Sequence, residues 1–492
     1  MTGEGGRGSD DIEALAKGGR TNVAGFFVRL IARIPFLFVA GQWYGAEALG
    51  RLAYAVLVLE FAAQLATLGL KRGLALHLSG NGKHNGAWDA LALVAMCGFG
   101  LAIALMLVPR VMFPNSDING FETLLPLVVP ALALTDIMLA ALAYRYDVAA
   151  TVRAKAIVEP WTISLAAFAL SWYSLRDGLL ISYALSMGAA FLATALPFYR
   201  AYGRPTSWAP SFHGLYRLAR RNLPLAAADS IEWGSRRLDL AILGLFVSPA
   251  TVGIYYVAQQ VASLPQKLKT SFDPILGPVI TRKLETGDTA AVARQVSQVG
   301  FWIIAAQAGI ALALGIPGEG LMGLFGPKGA FVGGNGALAF LLLAEVAAAT
   351  AVVSEAALVY IARHRNFLIS AAMIAFQAVL TFLFLFVARR QGFPELFQAA
   401  MPAAALAISL GFASLVKSNL AAQLLGAPVS VWRWPLLWAA SAAIVTGSIA
   451  IRLPEWAELA FGIPAILAAY GVVIWRWGFA EEDRTLFRKT DR

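Results

Sequence analysis

Apolar stretches of spanning length recur along the whole chain, separated by short polar segments. They cover 21–41, 48–70, 88–112, 122–143, 152–172, 178–199, 221–247, 250–280, 292–316, 333–360, 367–388, 394–425, 432–452 and 457–477. A helix that crosses the hydrocarbon core needs about 20 mostly apolar residues. Each stretch meets that length, and the longer ones imply tilt, kinks or extension beyond the lipid. The pattern predicts an all-α polytopic membrane protein of about fourteen transmembrane helices. Residues 1–20 are polar and Gly-rich and lack the early apolar core of a signal peptide, so they read as a disordered cytoplasmic tail. Residues 481–492 form a second cytoplasmic tail. The loops are too short to hold a soluble-type catalytic domain.

Composition agrees. Of 492 residues, 59% are hydrophobic and 14% charged, against about 25% charged in soluble domains. The net charge of +10 would fit a nucleic-acid binder if the cations lined one face, but they are too sparse to follow a phosphate backbone. Their distribution follows topology instead. Of the 39 Lys and Arg, only Arg110, Arg176, Lys328, Arg389, Arg390 and Arg452 fall in odd-numbered loops. The tails and even-numbered loops hold most of the rest, including Lys71, Arg72, Lys155, Arg220 and Arg221. This places both termini of a multi-pass membrane protein in the cytoplasm. Tryptophan and tyrosine gather at span ends, as in an interfacial belt, for example Trp172, Tyr173, Trp432 and Trp475.

A weak internal repeat is present. Arg33-Ile-Pro-Phe-Leu leads to Gly50, and Arg237-Leu-Asp-Leu-Ala leads to Gly253. In each, an Arg-bearing span precedes a short outer loop and a helix beginning at the glycine. The first and seventh spans thus read as equivalent elements of two six-span halves, a common transporter plan. The division expected is an N-terminal lobe over 21–215, a C-terminal lobe over 216–430, and two further spans over 431–480.

Ionisable groups inside spans are costly and usually face a cavity or a partner. Arg29 and Arg33 share one face of the first span. Arg29 is close enough to the cytoplasmic end to snorkel, whereas Arg33 lies deeper. Arg51 follows Glu47 by four residues, which reads as a local ion pair. Asp229, Glu232, Arg236 and Asp239 form one stripe on the seventh span, with Arg237 beside it and Glu232–Arg236 spaced for mutual pairing. The eighth span carries Gln260, Ser263, Lys267 and Thr270 on one face, and Pro265, Pro274 and Pro278 should break or bend it. Glu60, Asp136, Glu159, Glu345 and Glu355 are lone acids. They serve either as proton acceptors for ion coupling or as counter-ions to the arginines. The candidate substrate-binding cations are Arg29, Arg33, Arg236, Arg237 and Lys267. The candidate ion-coupling acids are Asp229, Glu232, Asp239, Glu60 and Glu345. Arg and Lys at depth favour an anionic, phosphate-bearing ligand.

Other chemistry is missing. Gly326-Pro327-Lys328-Gly329 lacks phosphate-loop spacing. His77, His84, His213 and His364 stand singly, so no metal site is expected. With no nucleophile elbow and no acidic DxD motif, no catalytic residues, enzyme activity or cofactor are expected.

The stretch from Arg236 to Asp288 resembles the seventh and eighth spans of the polysaccharide flippases of the multidrug/oligosaccharidyl-lipid/polysaccharide exporter superfamily. The residues that carry the likeness are Arg237, Asp239, Val252, Gly253, Tyr255, Pro278, Gly287 and Asp288. Arg33, Gly45 and Gly50 resemble the family's first pair more loosely. The resemblance implies two six-helix lobes around a central cavity, with two extra C-terminal helices. It implies a flippase that moves undecaprenyl-pyrophosphate-linked oligosaccharide across the inner membrane by alternating access, for O-antigen, capsule or exopolysaccharide assembly. Its partners would be that lipid-linked substrate, membrane lipid, and a polysaccharide polymerase with its export machinery, but no nucleic acid. Three alternatives stay open: an ion-coupled multidrug/cation antiporter, a lipid II flippase, and, from another class, a membrane glycosyltransferase or polymerase.

Overall fold

The computed structural model describes residues 34–79, 84–118, 120–205, 208–269, 280, 284, 288–480 and 483. Among them, nine helical stretches are long and apolar enough to cross a membrane, and Pro435–Ala450 is a shorter apolar helix. The chain is an all-α polytopic membrane protein. It divides into two compact units, Met1–Arg237 and Leu238–Arg492.

In the first unit, helical residues 34–44 end at Gly45, whose φ of +84° only glycine adopts without strain. The next helix, Gly45–Ala66, stops at a turn over 67–69 and resumes as Leu70–Ser79. Leu68 has φ +48° there, a strained value for a branched side chain. A Cβ on Gly69 would lie 2.4 Å from the Ala226 nitrogen, so the turn seats directly on the helix Phe212–Phe246. His84–Leu107, Val128–Tyr144 and Gly178–Tyr202 complete the long helices of this unit. Between them, Val148–Thr151 enters a π-helical segment, Val152–Val158, that continues as Glu159–Leu170. Pro160 cannot donate a backbone hydrogen bond, and the wider turn before it absorbs the missing link. Leu49, Leu59, Ile137, Leu142 and Leu179 are fully buried at its centre.

The second unit contains Pro249–Lys269, Thr289–Gly315, Asn335–Ile361, Arg363–Arg390 and Glu395–Leu425. Buried alanines line the contact faces, including Ala344, Ala348, Ala403 and Ala405. Small residues let membrane helices approach closely where water exclusion gives no drive. Arg363–Arg390 is inverted relative to a soluble helix: Phe367, Phe376, Phe382 and Phe386 are exposed, while Asn366, Gln377 and Thr381 are buried. The last two spans pack on Thr289–Gly315 through Phe301, Ala439, Ala443, Ile466 and Tyr470.

Two expectations are corrected. The repeated glycines do not begin helices: those helices start at Gly45 and Pro249, not at Gly50 and Gly253. Pro265 does not break the eighth span, since it lies inside Pro249–Lys269, with its carbonyl accepting from Gln307 Nε2 at 3.2 Å. Pro274 and Pro278 lie outside the described residues.

Candidate functional site

The first unit gathers its intramembrane charges into a linked group. Asp136, midway along Val128–Tyr144, meets Lys71 Nζ at 2.7 Å and Lys155 Nζ at 3.6 Å. Lys155 in turn meets Glu159 at 3.2 Å, one helical turn on, and interacts electrostatically with Glu60. Glu60 meets Arg237 Nη2 at 3.0 Å, and the Arg237 guanidinium lies 5.9 Å from the Trp233 ring centroid. Trp233 stacks on Phe61, the residue after Glu60, at 4.9 Å. A second pair, Arg72 Nε to Asp229 Oδ1 at 2.8 Å, ties the resumed helix to Phe212–Phe246. Lys71 also donates to Gln64 Oε1 at 3.3 Å.

The local sequence explains these positions. The break at 67–69 turns Lys71 and Arg72 back against the unit, and the π-helical turn sets the register of Lys155. The side chains of the Lys155, Glu159, Asp136, Glu60 and Arg237 group are between 21% and 31% exposed. Each acid of this group has a base within reach and each base an acid, so partners can be exchanged within the group. Such a group can exchange one counter-ion for another without leaving a bare charge in lipid. An anion arriving there would compete with carboxylates for Lys and Arg donors.

The expected site residues fall in different places. Arg29 and Arg33 lie outside the described residues. Arg237 and Glu60 come together as an ion pair, and Asp229 pairs with Arg72. Asp239 belongs to the second unit. There it is 1% exposed and accepts from the Tyr255 hydroxyl and from Gln259 Nε2 at 3.2 Å. The stripe read on the seventh span is thus divided between two environments. Arg236 is exposed and Glu345 half-buried. The backbones of Glu232 and Lys267 are helical, but their side chains lie outside the description. Arg51 is a correction: its ion pair is with Glu122 on Gly120–Leu124, not with Glu47. Of the lone acids, Glu60, Asp136, Glu159 and Glu355 all have basic partners.

Sequence reasoning missed Lys71 and Lys155 by assigning them to loops, and did not single out Lys417 within the span 394–425. The signals were available: Lys155 precedes Glu159 by four residues, and a mid-span Asp136 demands a cation. Among the described residues, no group of three or more His, Cys, Asp or Glu is arranged to hold a metal ion.

The model of a family described as "Polysaccharide biosynthesis protein" matches residues 45–304. No curated protein sequence matches the chain. The structure is similar to "Lipid II flippase MurJ, inward closed conformation", with TM-score 0.70 and 11% identity over 95% of this chain and 99% of that one. It is also similar to an inward-facing multidrug resistance MATE family transporter of the MOP superfamily, with TM-score 0.63 and 14% identity over 81% of this chain and 94% of that one. An outward-facing MATE structure gives TM-score 0.54 and 14% identity, covering 84% and 95%. At these identities the likeness establishes the fold.

Proposed function

The chain belongs to the polysaccharide biosynthesis protein family, and from that premise we propose that it is a flippase for undecaprenyl-pyrophosphate-linked oligosaccharide. It would act by alternating access in the inner membrane, with both termini cytoplasmic, and supply O-antigen, capsule or exopolysaccharide assembly. It would translocate rather than catalyse. The observation that carries this reading is the linked, charge-balanced group of Lys71, Lys155 and Arg237 with Asp136, Glu159 and Glu60. A pyrophosphate can take over bonds from the carboxylates, and the released acids can take up protons or pass to other cations. Arg33, Arg236 and Lys267 are proposed as further cations on the substrate's route, with Arg29 at its cytoplasmic entry. Asp229, Glu232, Asp239 and Glu345 are proposed with Glu60 as the acids that couple ion movement.

The test is flipping of a defined undecaprenyl-pyrophosphate oligosaccharide in proteoliposomes, with and without a proton or sodium gradient. Translocation that falls about tenfold in Arg237→Ala, the effect of losing a contact of roughly 1.4 kcal/mol, supports the reading. Wild-type rates in both Arg237→Ala and Arg33→Ala remove the cationic mechanism, and no translocation by the wild type removes the function. The likeness to a lipid II flippase favours one second reading, in which lipid II itself is moved. Depletion that stops peptidoglycan synthesis while surface polysaccharide persists would select it.

A further inference from the structure

Two cations of the first unit sit directly behind its helix break. Gly45–Ala66 stops, Leu68 and Gly69 take φ of +48° and +73°, and Leu70–Ser79 resumes with Lys71 and Arg72 in its first turn. Glycine adopts such a φ freely, but leucine does not. A non-glycine residue stays in that region only where its surroundings impose it, and such strain collects at switch elements. No proline interrupts 45–79, so the sequence itself permits one continuous helix. The bend is imposed from outside.

Two sets of contacts impose it. A Cβ on Gly69 or Gly73 would collide with Asn222, Leu225 or Ala226, so these glycines, one turn apart, seat Leu70–Ser79 on Phe212–Phe246. The ion pairs Lys71–Asp136 at 2.7 Å and Arg72–Asp229 at 2.8 Å tie the same short helix to two others. These pairs can be opened. Lys71 and Arg72 are 38% and 53% exposed, within reach of an anion from water. Asp136 keeps Lys155 at 3.6 Å when Lys71 leaves. Asp229 is 6% exposed, and loss of Arg72 would strand it unless the seam opens and admits water. Release of Arg72 and opening of the seam are therefore one event.

We propose that the break is a hinge latched by Lys71 and Arg72, with Leu68 and Gly69 as its positioning residues. An anion that binds both cations frees Leu70–Ser79 from Phe212–Phe246, and Leu68 relaxes into a helix that runs on from Gly45–Ala66. The anion pulls the equilibrium because it binds the open form better, where neither cation is shared with a carboxylate. The hinge adds a moving part to the flippase reading and rests on that reading for the anion's being a phosphate group.

The test measures the helix itself. In a Cys97→Ala background, spin labels on Glu47→Cys and Leu76→Cys occupy exposed positions on either side of the break. A continuous helix would set those positions about 43 Å apart, and the bend shortens that span. Inorganic pyrophosphate, added to the full chain in detergent, should lengthen the distance towards this value, and chloride at equal ionic strength should not. Lys71→Gln with Arg72→Gln should lengthen it without any anion. Leu68→Gly removes the strain and weakens the straight helix. It should therefore need about tenfold more pyrophosphate for the same shift, and raise the apparent KM for flipping about tenfold while the maximal rate holds. Leu68→Ala keeps the strain and should keep the wild-type values. Equal lengthening by chloride would reduce the latch to general screening and overturn the proposal. Lengthening in the double variant alone would remove the anion as trigger, and lengthening in neither case would remove the hinge. A Leu68→Ala shift as large as that of Leu68→Gly would assign the effect to lost packing. A responsive hinge in a chain that flips nothing in proteoliposomes would sink the transport reading and leave the hinge standing. Flipping with an unmoved helix would do the reverse.

Discussion

The two units treat buried charge differently. In the first, acids and bases form a chain of shared partners: Asp136 serves two lysines and Lys155 serves two acids. Each is between 21% and 38% exposed. In the second, charges are closed off one by one. Lys417 is 4% exposed and satisfied by Glu355 at 2.9 Å and Ser370 at 3.0 Å. Asp239 is enclosed by Tyr255 and Gln259. Asp483 is 1% exposed and takes four donors: Arg433 Nη1, Gln298 Nε2, Trp302 Nε1 and the Ala480 N–H. A buried charge with dedicated partners fixes a structure, because removing one partner strands the other. A shared set tolerates exchange. Substitutions in the second unit's closed pairs, and in the closed Arg51–Glu122 pair of the first, should therefore cost stability, and those in the first unit's shared group should cost transport.

The largest stability effect should come from Glu355→Ala, which leaves the Lys417 ammonium buried with one hydroxyl. Removing the partner of a buried charge costs up to about 3 kcal/mol, and less where, as with Glu355 at 43% exposed, water can take its place. The apparent unfolding midpoint in detergent should fall clearly, while Glu355→Gln, which keeps an acceptor, should recover part of it. An unchanged midpoint in Glu355→Ala would erase the distinction between the units.

A smaller effect should come from Asp483→Asn, at about 2 kcal/mol for hydrogen bonds to a charged group. Here pH gives a second reading. Burial pushes the Asp483 carboxyl up, but the bonds from Arg433, Gln298, the Ala480 N–H and Trp302 outweigh it and hold the group below the usual carboxylate range. A depressed folded pKa contributes stability that is full above the unfolded value near 4 and lost as pH falls through the folded value. The gap between wild type and Asp483→Asn should therefore be constant near pH 7 and close in acid. A gap that widens on acidification would contradict the assignment.

The sequence disclosed the helices more fully than the site, for a physical reason. Hydrophobic runs are local: the stretches read at 122–143, 333–360 and 394–425 correspond to helices Val128–Tyr144, Asn335–Ile361 and Glu395–Leu425. The partnerships of charges are not local. Arg51 meets Glu122 rather than Glu47, and Arg237 finds Glu60, far away in the chain. The reading of Glu60 and Asp136 as counter-ions was available in the sequence, but the identity of their partners required the fold. Lys71 and Lys155 were hidden by the rule that revealed topology, since a cation near a span end is normally a loop residue. Leu68 gave no signal at all, because a positive φ at a leucine is imposed by the helix it rests on.

The smallest stability effect should come from Arg237→Ala, and it tests the comparison most sharply. Arg237 and Glu60 are 29% and 31% exposed, so their pair is worth about 1 kcal/mol or less. Its loss should barely move the unfolding midpoint. Glu60 remains within reach of the Lys155 charge, so the acid is not stranded. A double-mutant cycle of Arg237→Ala with Glu60→Gln isolates the pair: a coupling below about 1 kcal/mol, together with a large loss of translocation in Arg237→Ala alone, places this arginine among groups kept for exchange. A coupling as large as that between Glu355 and Lys417 would make it one more fixed buried pair, and the first unit would then hold its charges for the same reason as the second.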